Sequence, residues 1–140
     1  MTDLDHATRV AALRRVPLFR RLSPATIHEL ARRTTQATVG PGTELVRQGE
    51  PGDHLGIMVT GSAAVVRDDH GIGFLAEGDF FGEMALIDGE PRSATITTTA
   101  ASVVLRVGAE DFEALLKIPH VARALLEGMS ARLREMQQSL

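Results

Sequence analysis

The first 33 residues carry apolar residues at helical spacing. Val10, Leu13 and Val16 lie three positions apart, and the proline after Val16 cannot continue a helix, so a first helix is predicted to end there. A second helix is predicted to begin at Ser23, because serine caps helix N-termini and Pro24 suits the first helical position. The pattern therefore indicates short helices at the N-terminus.

Between residues 37 and 108 the pattern changes to short apolar and β-branched runs separated by glycine. Runs of this kind at close spacing are typical of a small β-barrel or sandwich rather than of a parallel α/β sheet. The predicted strands are residues 44–46, 55–59, 63–66, 73–75, 93–98 and 103–107. The loop at residues 68–71 is short enough to predict a tight hairpin.

The C-terminal part is helical again, with a short helix predicted over residues 111–117 and a long one that begins at Pro119. Apolar residues in the long helix repeat at alternating spacings of four and three, which is typical of a single apolar stripe. The stripe consists of Ala122, Leu126, Met129, Leu133, Met136 and Leu140. It is compatible with packing on the β-structure, with a lid over a ligand, or with the seam of a homodimer.

Together these patterns predict one α+β domain over residues 1–140. Its centre is a small antiparallel, jelly-roll-like β-roll, flanked by N-terminal helices and a long C-terminal helix. The predicted divisions are N-terminal helices in residues 1–36, the β-roll in residues 37–108 and C-terminal helices in residues 109–140. A chain of 140 residues is long enough to bury a core of its own.

The composition narrows the classes of protein. The chain contains no cysteine, which excludes disulfides and agrees with a cytoplasmic location. No apolar run reaches the length of a membrane span, and the first ten residues lack the apolar core of a signal peptide. A net charge of −3 argues against nucleic acid as the main partner. The histidines are scattered singly, so no metal site is predicted.

Residues 80–95, FFGEMALIDGEPRSAT, carry the most informative chemistry. Gly82 lets the backbone approach a ligand closely, and a helical turn predicted over residues 83–87 leaves its first N–H groups available to an anion. Arg92 can bind a phosphate with its planar guanidinium. Glu83 would repel a phosphate, so it suggests a ligand that also offers a hydroxyl, such as a ribose. An alternative is a surface turn in which Glu83 and Arg92 pair only with each other.

This run resembles the phosphate-binding cassette of cyclic nucleotide-binding domains, the family of the catabolite activator protein, cAMP-dependent kinase regulatory subunits and nucleotide-gated channels. The resemblance covers residues 13–140 and implies a β-roll that binds cAMP or cGMP. Upstream of the cassette it includes Pro41-Gly42, residues 47–53 (RQGEPGD), residues 59–62 (VTGS) and residues 75–81 (LAEGDFF). The chain departs from the family at Gly56, where an aromatic residue is usual, which predicts a core gap or a bulge.

By this resemblance, Glu83 is expected to accept a hydrogen bond from the ribose 2′-hydroxyl, and Arg92 to bind the cyclic phosphate. The other cassette positions expected to contact the ligand, through backbone N–H groups or hydroxyls, are Gly82, Met84, Ala85, Ser93 and Thr95. In the family a residue of the last helix often covers the base, and Arg132 and Arg134 are the candidates. The resemblance implies a ligand but no cofactor and no metal.

These expectations favour a non-catalytic sensor that passes its signal through the C-terminal helix to an unidentified protein effector. One alternative is a regulatory domain from a longer channel, transporter or enzyme. Another is a cupin-type metalloenzyme, which also uses a small β-roll but needs clustered histidines. Direct DNA binding is not expected, because a helix-turn-helix would have to follow residue 140. The preference between cAMP and cGMP stays open.

Overall fold

The computed structural model describes residues 3–138. Its helices are α1 (His6–Arg14), a short 3₁₀ helix (Pro17–Phe19), α2 (Pro24–Arg33), α3 (Glu83–Asp88), α4 (Ala109–Leu116) and α5 (Pro119–Gln138). The predicted cap of the second helix is confirmed, because the Thr26 N–H donates to Ser23 Oγ at 3.2 Å. The predicted helical turn after Gly82 is confirmed as α3.

The eight strands of these residues form two antiparallel four-stranded sheets. The strands are β1 (Thr35–Val39), β2 (Glu44–Val46), β3 (His54–Thr60), β4 (Ala63–Arg67), β5 (His70–Leu75), β6 (Phe80–Phe81), β7 (Thr95–Thr98) and β8 (Ser102–Gly108). One sheet has the order β1-β8-β3-β6 and the other β2-β7-β4-β5. The predicted α+β class with an antiparallel β-roll is therefore confirmed.

The first sheet is covered on both faces. Along β3 the side chains alternate, as a strand requires: Leu55, Ile57 and Val59 pack in the cluster that contains the helices, whereas Met58 packs with Ile96 and other residues of the second sheet. The helices therefore cover one face of β3, and the second sheet covers the other.

Several strand boundaries differ from the prediction. The strand β1 was not predicted, although it pairs with β8 along its whole length, from Thr35 opposite Arg106 to Val39 opposite Ser102. The strand β6 has only two residues, too few to show an alternating pattern. The predicted strand over residues 93–98 begins instead at Thr95.

The predicted tight hairpin is confirmed, with a loop of Asp68 and Asp69 only. Both residues have positive φ, 51° and 64°. This is the backbone that two-residue hairpin loops favour, since its twist matches that of the strands. His70 pairs directly with Arg67, so β5 starts earlier than expected.

The core gap or bulge predicted at Gly56 is not observed. Gly56 is buried and pairs in register with Phe81 on one side and Arg106 on the other. A Cβ atom at this position would overlap the ring of Phe81. The aromatic ring thus comes from the neighbouring strand β6 and fills the space that the missing side chain leaves.

Apolar burial holds the long helix α5 only near its start. Val121 and Leu125 are buried in the core, but every described residue after Leu125 is exposed. In the predicted stripe, Leu126, Leu133 and Met136 are 65%, 59% and 64% exposed, so packing of these residues on the β-roll is not observed. The last member of the stripe, residue 140, lies outside the described residues.

Candidate functional site

A cavity of about 180 Å³ opens between the second sheet, α3 and α5. It brings together most of the predicted cassette residues and one arginine of the last helix. The lining includes Gly82, Glu83, Met84, Ala85, Arg92, Ser93 and Arg132. Apolar side chains of the β-roll, among them Val46, Val65 and Ile96, form the rest of the wall. The lining therefore combines charged groups with an apolar surface.

Arg92 is the buried cation of this cavity. Only 5% of the residue is exposed. Its Nη1 donates to the Gly82 carbonyl at 3.2 Å, and its Nη2 donates to the His54 carbonyl at 3.0 Å. Within residues 3–138 no carboxylate oxygen lies within ion-pairing distance of this guanidinium, so the groups hydrogen-bonded to it are neutral carbonyls. A buried cation of this kind is a favourable site for an anion.

Two glycines make room for this guanidinium. Gly82 has φ of +89°, and a Cβ atom there would overlap Arg92 Nη1. A Cβ atom on Gly52 would lie 2.6 Å from Ala85 Cβ and 3.1 Å from Arg92 Cζ. The guanidinium thus packs directly against the backbone of Gly52 and Gly82. Only glycine permits such a close approach.

The backbone of Arg92 is held as firmly as its side chain. The Arg92 N–H donates to the Glu50 carbonyl at 2.8 Å, and the Gly49 N–H donates to the Arg92 carbonyl at 2.9 Å. The turn before β3 and the loop before β7 are therefore joined by a pair of backbone hydrogen bonds. As a result the guanidinium approaches the cavity from a preorganised loop.

The electrostatics around Arg92 follow from burial and from two nearby acids. Burial lowers the pKa of Arg92, while the negative charges of Asp53 and Glu83 oppose that shift. The guanidinium remains charged, because arginine does not lose its proton in proteins. Burial also lowers the pKa of His54, although its hydrogen bond to Asp53, 2.6 Å from Nδ1 to Oδ1, acts in the opposite direction. That hydrogen bond lowers the pKa of Asp53.

Glu83 does not pair with Arg92. Its carboxylate is buried, with 6% of the residue exposed, and its Oε1 accepts a hydrogen bond from Arg132 Nη1 at 3.0 Å. The alternative in which Glu83 and Arg92 pair only with each other is therefore not observed. Glu83 and Arg92 therefore have different partners, and both line the cavity.

The remaining predicted residues differ in how they relate to the cavity. Ser93 lies on its wall, whereas the Thr95 hydroxyl accepts a hydrogen bond from the Gln48 N–H at 3.0 Å and is not part of the lining. Met84 contributes to the wall but is 47% exposed. Arg134 is exposed and is absent from the lining, in contrast to Arg132.

Sequence reasoning gave no site role to Gly52 or His54. Gly52 acts by having no side chain, and His54 acts through its backbone carbonyl. Neither role can therefore be recognised from the residue type. The one available signal is the glycine and proline content of residues 47–53, which predicts a turn but not its proximity to Arg92.

A β-roll that holds a buried, unpaired cation beside a buried carboxylate defines a domain for an anionic ligand that also carries hydrogen-bond donors. Comparison with known proteins identifies the family. The family model described as the cyclic nucleotide-binding domain matches residues 36–118. This chain belongs to the cyclic nucleotide-binding domain family, and the resemblance seen in its cassette is confirmed. The family is one of regulatory domains and differs from the cupin metalloenzymes considered as an alternative.

Three relatives illustrate the likeness. A cyclic nucleotide-gated potassium channel of Mesorhizobium japonicum is 43% identical over 100 residues, which cover 71% of this chain and 28% of the channel. A cAMP-dependent protein kinase regulatory subunit of Yarrowia lipolytica is 34% identical over 106 residues, 74% of this chain and 28% of the subunit. The regulatory domain of Toxoplasma gondii PKA, solved with cAMP, is 26% identical with a TM-score of 0.77 over 86% of this chain and 49% of that chain. The chain thus spans less than a third of the length of these two curated relatives.

Two further features of the described residues concern metal binding and membrane insertion. No group of three or more histidine, aspartate or glutamate side chains in residues 3–138 is arranged to hold a metal ion. In the same part of the chain no helix combines the length and the apolar character that crossing a membrane requires.

Proposed function

We propose that this domain binds a cyclic nucleotide, cAMP or cGMP, as a non-catalytic sensor. The observation that carries the proposal is the Arg92 guanidinium, 5% exposed and bonded only to neutral carbonyls, next to the buried Glu83 carboxylate. A ligand that pairs a phosphate with a sugar hydroxyl complements both groups at once. The family and the regulatory domain solved with cAMP support the same ligand class.

In this proposal Arg92 binds an exocyclic phosphate oxygen and Glu83 accepts from the ribose 2′-hydroxyl. Backbone N–H groups around Gly82, Met84 and Ala85 complete the phosphate site. Ser93 and Thr95 are the candidate hydroxyl contacts. Ser93 is the better placed of the two, because it lies on the cavity wall.

The base is proposed to lie against the apolar residues of the cavity wall, with an arginine of α5 over its face. Arg132 is favoured over Arg134 for this contact, because Arg132 lines the cavity. Alanine substitutions at the two positions test the choice: the Arg132→Ala change should weaken cAMP binding at low salt more than Arg134→Ala does. Equal effects of the two substitutions would contradict the choice of Arg132 as the residue that covers the base.

The distal part of α5 is proposed to act as lid and signal output. Its side chains beyond Leu125 are exposed, so little apolar burial opposes its movement. A chain truncated before Met129 should keep a folded β-roll and release nucleotide at a different rate, because a lid that contacts the ligand changes its off-rate. Equal off-rates for the full and truncated chains would argue against the lid.

The exposed stripe on α5 also supports a homodimer as a proposed assembly. Leu126, Leu133 and Met136 are each more than half exposed on one helix, and apolar residues at a/d spacing pair well between helices. Light scattering of the wild-type chain and of a Leu133→Glu variant tests this: a dimer that becomes a monomer in the variant supports it, and a monomeric wild type contradicts it.

The role in a whole protein is also a proposal. The chain covers 28% of the potassium channel and of the kinase subunit, so it is compatible with a regulatory domain that acts on a protein effector, or on a further part of a longer channel, transporter or enzyme. A cytoplasmic location is proposed with it. Pull-down experiments in the presence and absence of cAMP would reveal a ligand-dependent effector.

The ligand class is tested by thermal-shift titration with cAMP, cGMP and 5′-AMP. A ligand that binds only the folded state raises the melting temperature. We expect shifts with the cyclic nucleotides alone, and recovery of unchanged nucleotide after incubation. No shift with either cyclic nucleotide would refute the proposed function, and conversion of the nucleotide would refute its non-catalytic part.

A further inference from the structure

We infer that Gln48 is a positioning residue for Arg92, because it fixes the place where the loop before β7 joins the second sheet. This inference rests on the proposed function, since it concerns the same guanidinium. Gln48 follows β2, and Asp68 follows β4 at the tip of the β4–β5 hairpin. Both strands are antiparallel to β7 and flank it in the sheet. A contact between Gln48 and Asp68 therefore bridges the start of β7, where the loop that carries Arg92 ends.

Gln48 and Asp68 form a reciprocal pair of hydrogen bonds. Gln48 Nε2 donates to Asp68 Oδ1 at 2.8 Å, and the Asp68 N–H donates to Gln48 Oε1 at 2.9 Å. The pair requires a donor and an acceptor on one side chain, and the amide of glutamine supplies both. Asp68 belongs to the two-residue loop of the hairpin, so a tight turn holds it in place. The side chain of Gln48 is thus joined to a well-defined point on the hairpin.

The backbone around Gln48 holds the loop of Arg92. The Gln48 N–H donates to Thr95 Oγ1 at 3.0 Å, at the first residue of β7. The next residue, Gly49, donates its N–H to the Arg92 carbonyl, and the Glu50 carbonyl accepts from the Arg92 N–H. Gly49 and Glu50 are exposed, so burial does not fix this turn in place. The Gln48 side chain therefore ties the turn that holds Arg92 to the hairpin beside it.

The position of this turn matters for binding because the guanidinium has to meet a phosphate oxygen in a defined direction. Without the Gln48–Asp68 pair, the turn and the loop bonded to it have more positions available. Only the fraction of molecules with Arg92 correctly placed binds with full affinity, so the apparent dissociation constant rises as that fraction falls. The physical alternative is a pair that only stabilises the fold, in which case the affinity of the folded domain does not depend on it.

The first experiment measures the dissociation constant of cAMP by isothermal titration for the wild type, Gln48→Ala, Arg92→Ala and the double variant. We expect Gln48→Ala to bind about fivefold more weakly, the scale of one net hydrogen bond. Because Gln48 acts through Arg92, the same substitution should have no further effect once the guanidinium is absent. An equal loss in both backgrounds, or no loss in the first, would overturn the inference.

Gln36→Ala is the matched control. Gln36 also uses both ends of its amide, because its Oε1 accepts from the Leu4 N–H at 2.7 Å and its Nε2 donates to Thr38 Oγ1 at 2.9 Å. It lies on β1, in the other sheet. Urea unfolding should show a loss of stability in Gln36→Ala, while its cAMP affinity should equal that of the wild type. A fivefold loss of affinity in this control would show that lower stability alone weakens binding, and would overturn the positioning role.

An exchange of donor and acceptor tests the pair itself. Gln48→Glu brings two carboxylates together and should bind as weakly as Gln48→Ala, whereas Asp68→Asn keeps an acceptor oxygen and should bind like the wild type. Adding Asp68→Asn to Gln48→Glu should restore the affinity, because the new amide can donate to the new carboxylate. No recovery in the double variant would overturn the inference. Tighter binding by Asp68→Asn alone would also overturn it, since affinity would then follow charge rather than pairing. A wild type that binds no cyclic nucleotide would instead refute the proposed function, and the inference with it.

Discussion

Replacing Arg92 by alanine should weaken ligand binding strongly and leave the domain folded. The change removes the buried guanidinium and leaves the carbonyls of Gly82 and His54 without their donor. The loop itself keeps its backbone hydrogen bonds to Gly49 and Glu50. The perturbation is therefore local, and its effects on affinity and on stability can be measured separately.

The magnitudes follow from the bonds that are lost. A charge-assisted bond to the phosphate contributes on the order of 2–3 kcal/mol, so cAMP affinity should fall by roughly 30- to 140-fold. The two hydrogen bonds from the charged guanidinium contribute about 1.5–3 kcal/mol each. Removing the buried cation also removes its desolvation cost, which offsets part of this loss, so the free energy of unfolding should fall by about 1–3 kcal/mol. A folded but weakly binding variant is the expected outcome.

Isothermal titration measures the affinity, and urea unfolding followed by circular dichroism measures the stability. Arg67→Ala is the matched control, because Arg67 Nε also donates to a carbonyl of the cassette, that of Ser93 at 3.0 Å, but its side chain is exposed. This control should change affinity by less than about threefold, as a screened surface charge does. If Arg92→Ala bound cAMP as tightly as the wild type, the assignment of the phosphate site would be wrong.

Three other changes test the packing and the charges of the site. Gly82→Ala should lose more stability and affinity than Gly89→Ala, because both residues have positive φ but only Gly82 faces the buried guanidinium. Titration and urea unfolding of the two variants check this, and equal losses would contradict it. Gly56→Ala should lower the free energy of unfolding by about 1–3 kcal/mol through overlap with the Phe81 ring, with an unchanged urea midpoint as the contrary result. Burial lowers the pKa of His54 from 6.5, so the folded state binds fewer protons at this residue than the unfolded state. Stability should therefore fall as the pH drops below 6.5 and through the folded pKa. Urea midpoints measured from pH 7.5 to 5 should decline less in His54→Gln than in the wild type.

Features set by neighbouring residues could be predicted from the sequence. The serine cap followed by proline at Ser23, the two-residue hairpin at Asp68 and Asp69, and the helical turn after Gly82 all depend on local backbone preferences. Such preferences act within a few residues, so they can be recognised in the sequence itself. The cassette was recognisable for the same reason, because its chemistry lies in one continuous run.

Features that depend on distant pairing could not be predicted in this way. The strand β1 (Thr35–Val39) is only half-buried and has no strong alternation, so its assignment depends on its partner β8 rather than on its own residues. Phe81 compensates for Gly56 from a strand of two residues, which no periodicity reveals. The carbonyl of His54 reaches Arg92 across 38 positions through the backbone, without any contribution from the residue type.

The choice between Arg132 and Arg134 shows where the limit lies. On an α-helix, residue 132 lies about 20° around the axis from Leu125, whereas residue 134 lies on nearly the opposite side. Once Val121 and Leu125 are known to be the buried anchors of α5, the direction of Arg132 towards the cavity follows from this geometry. The sequence pattern emphasised the stripe through Leu126 and Leu133 instead, because a/d spacing reveals an apolar face but not what covers it. Val121 and Leu125 therefore determine which face of α5 is directed towards the cavity. These two buried residues can be identified only when the β-roll on which they pack is known.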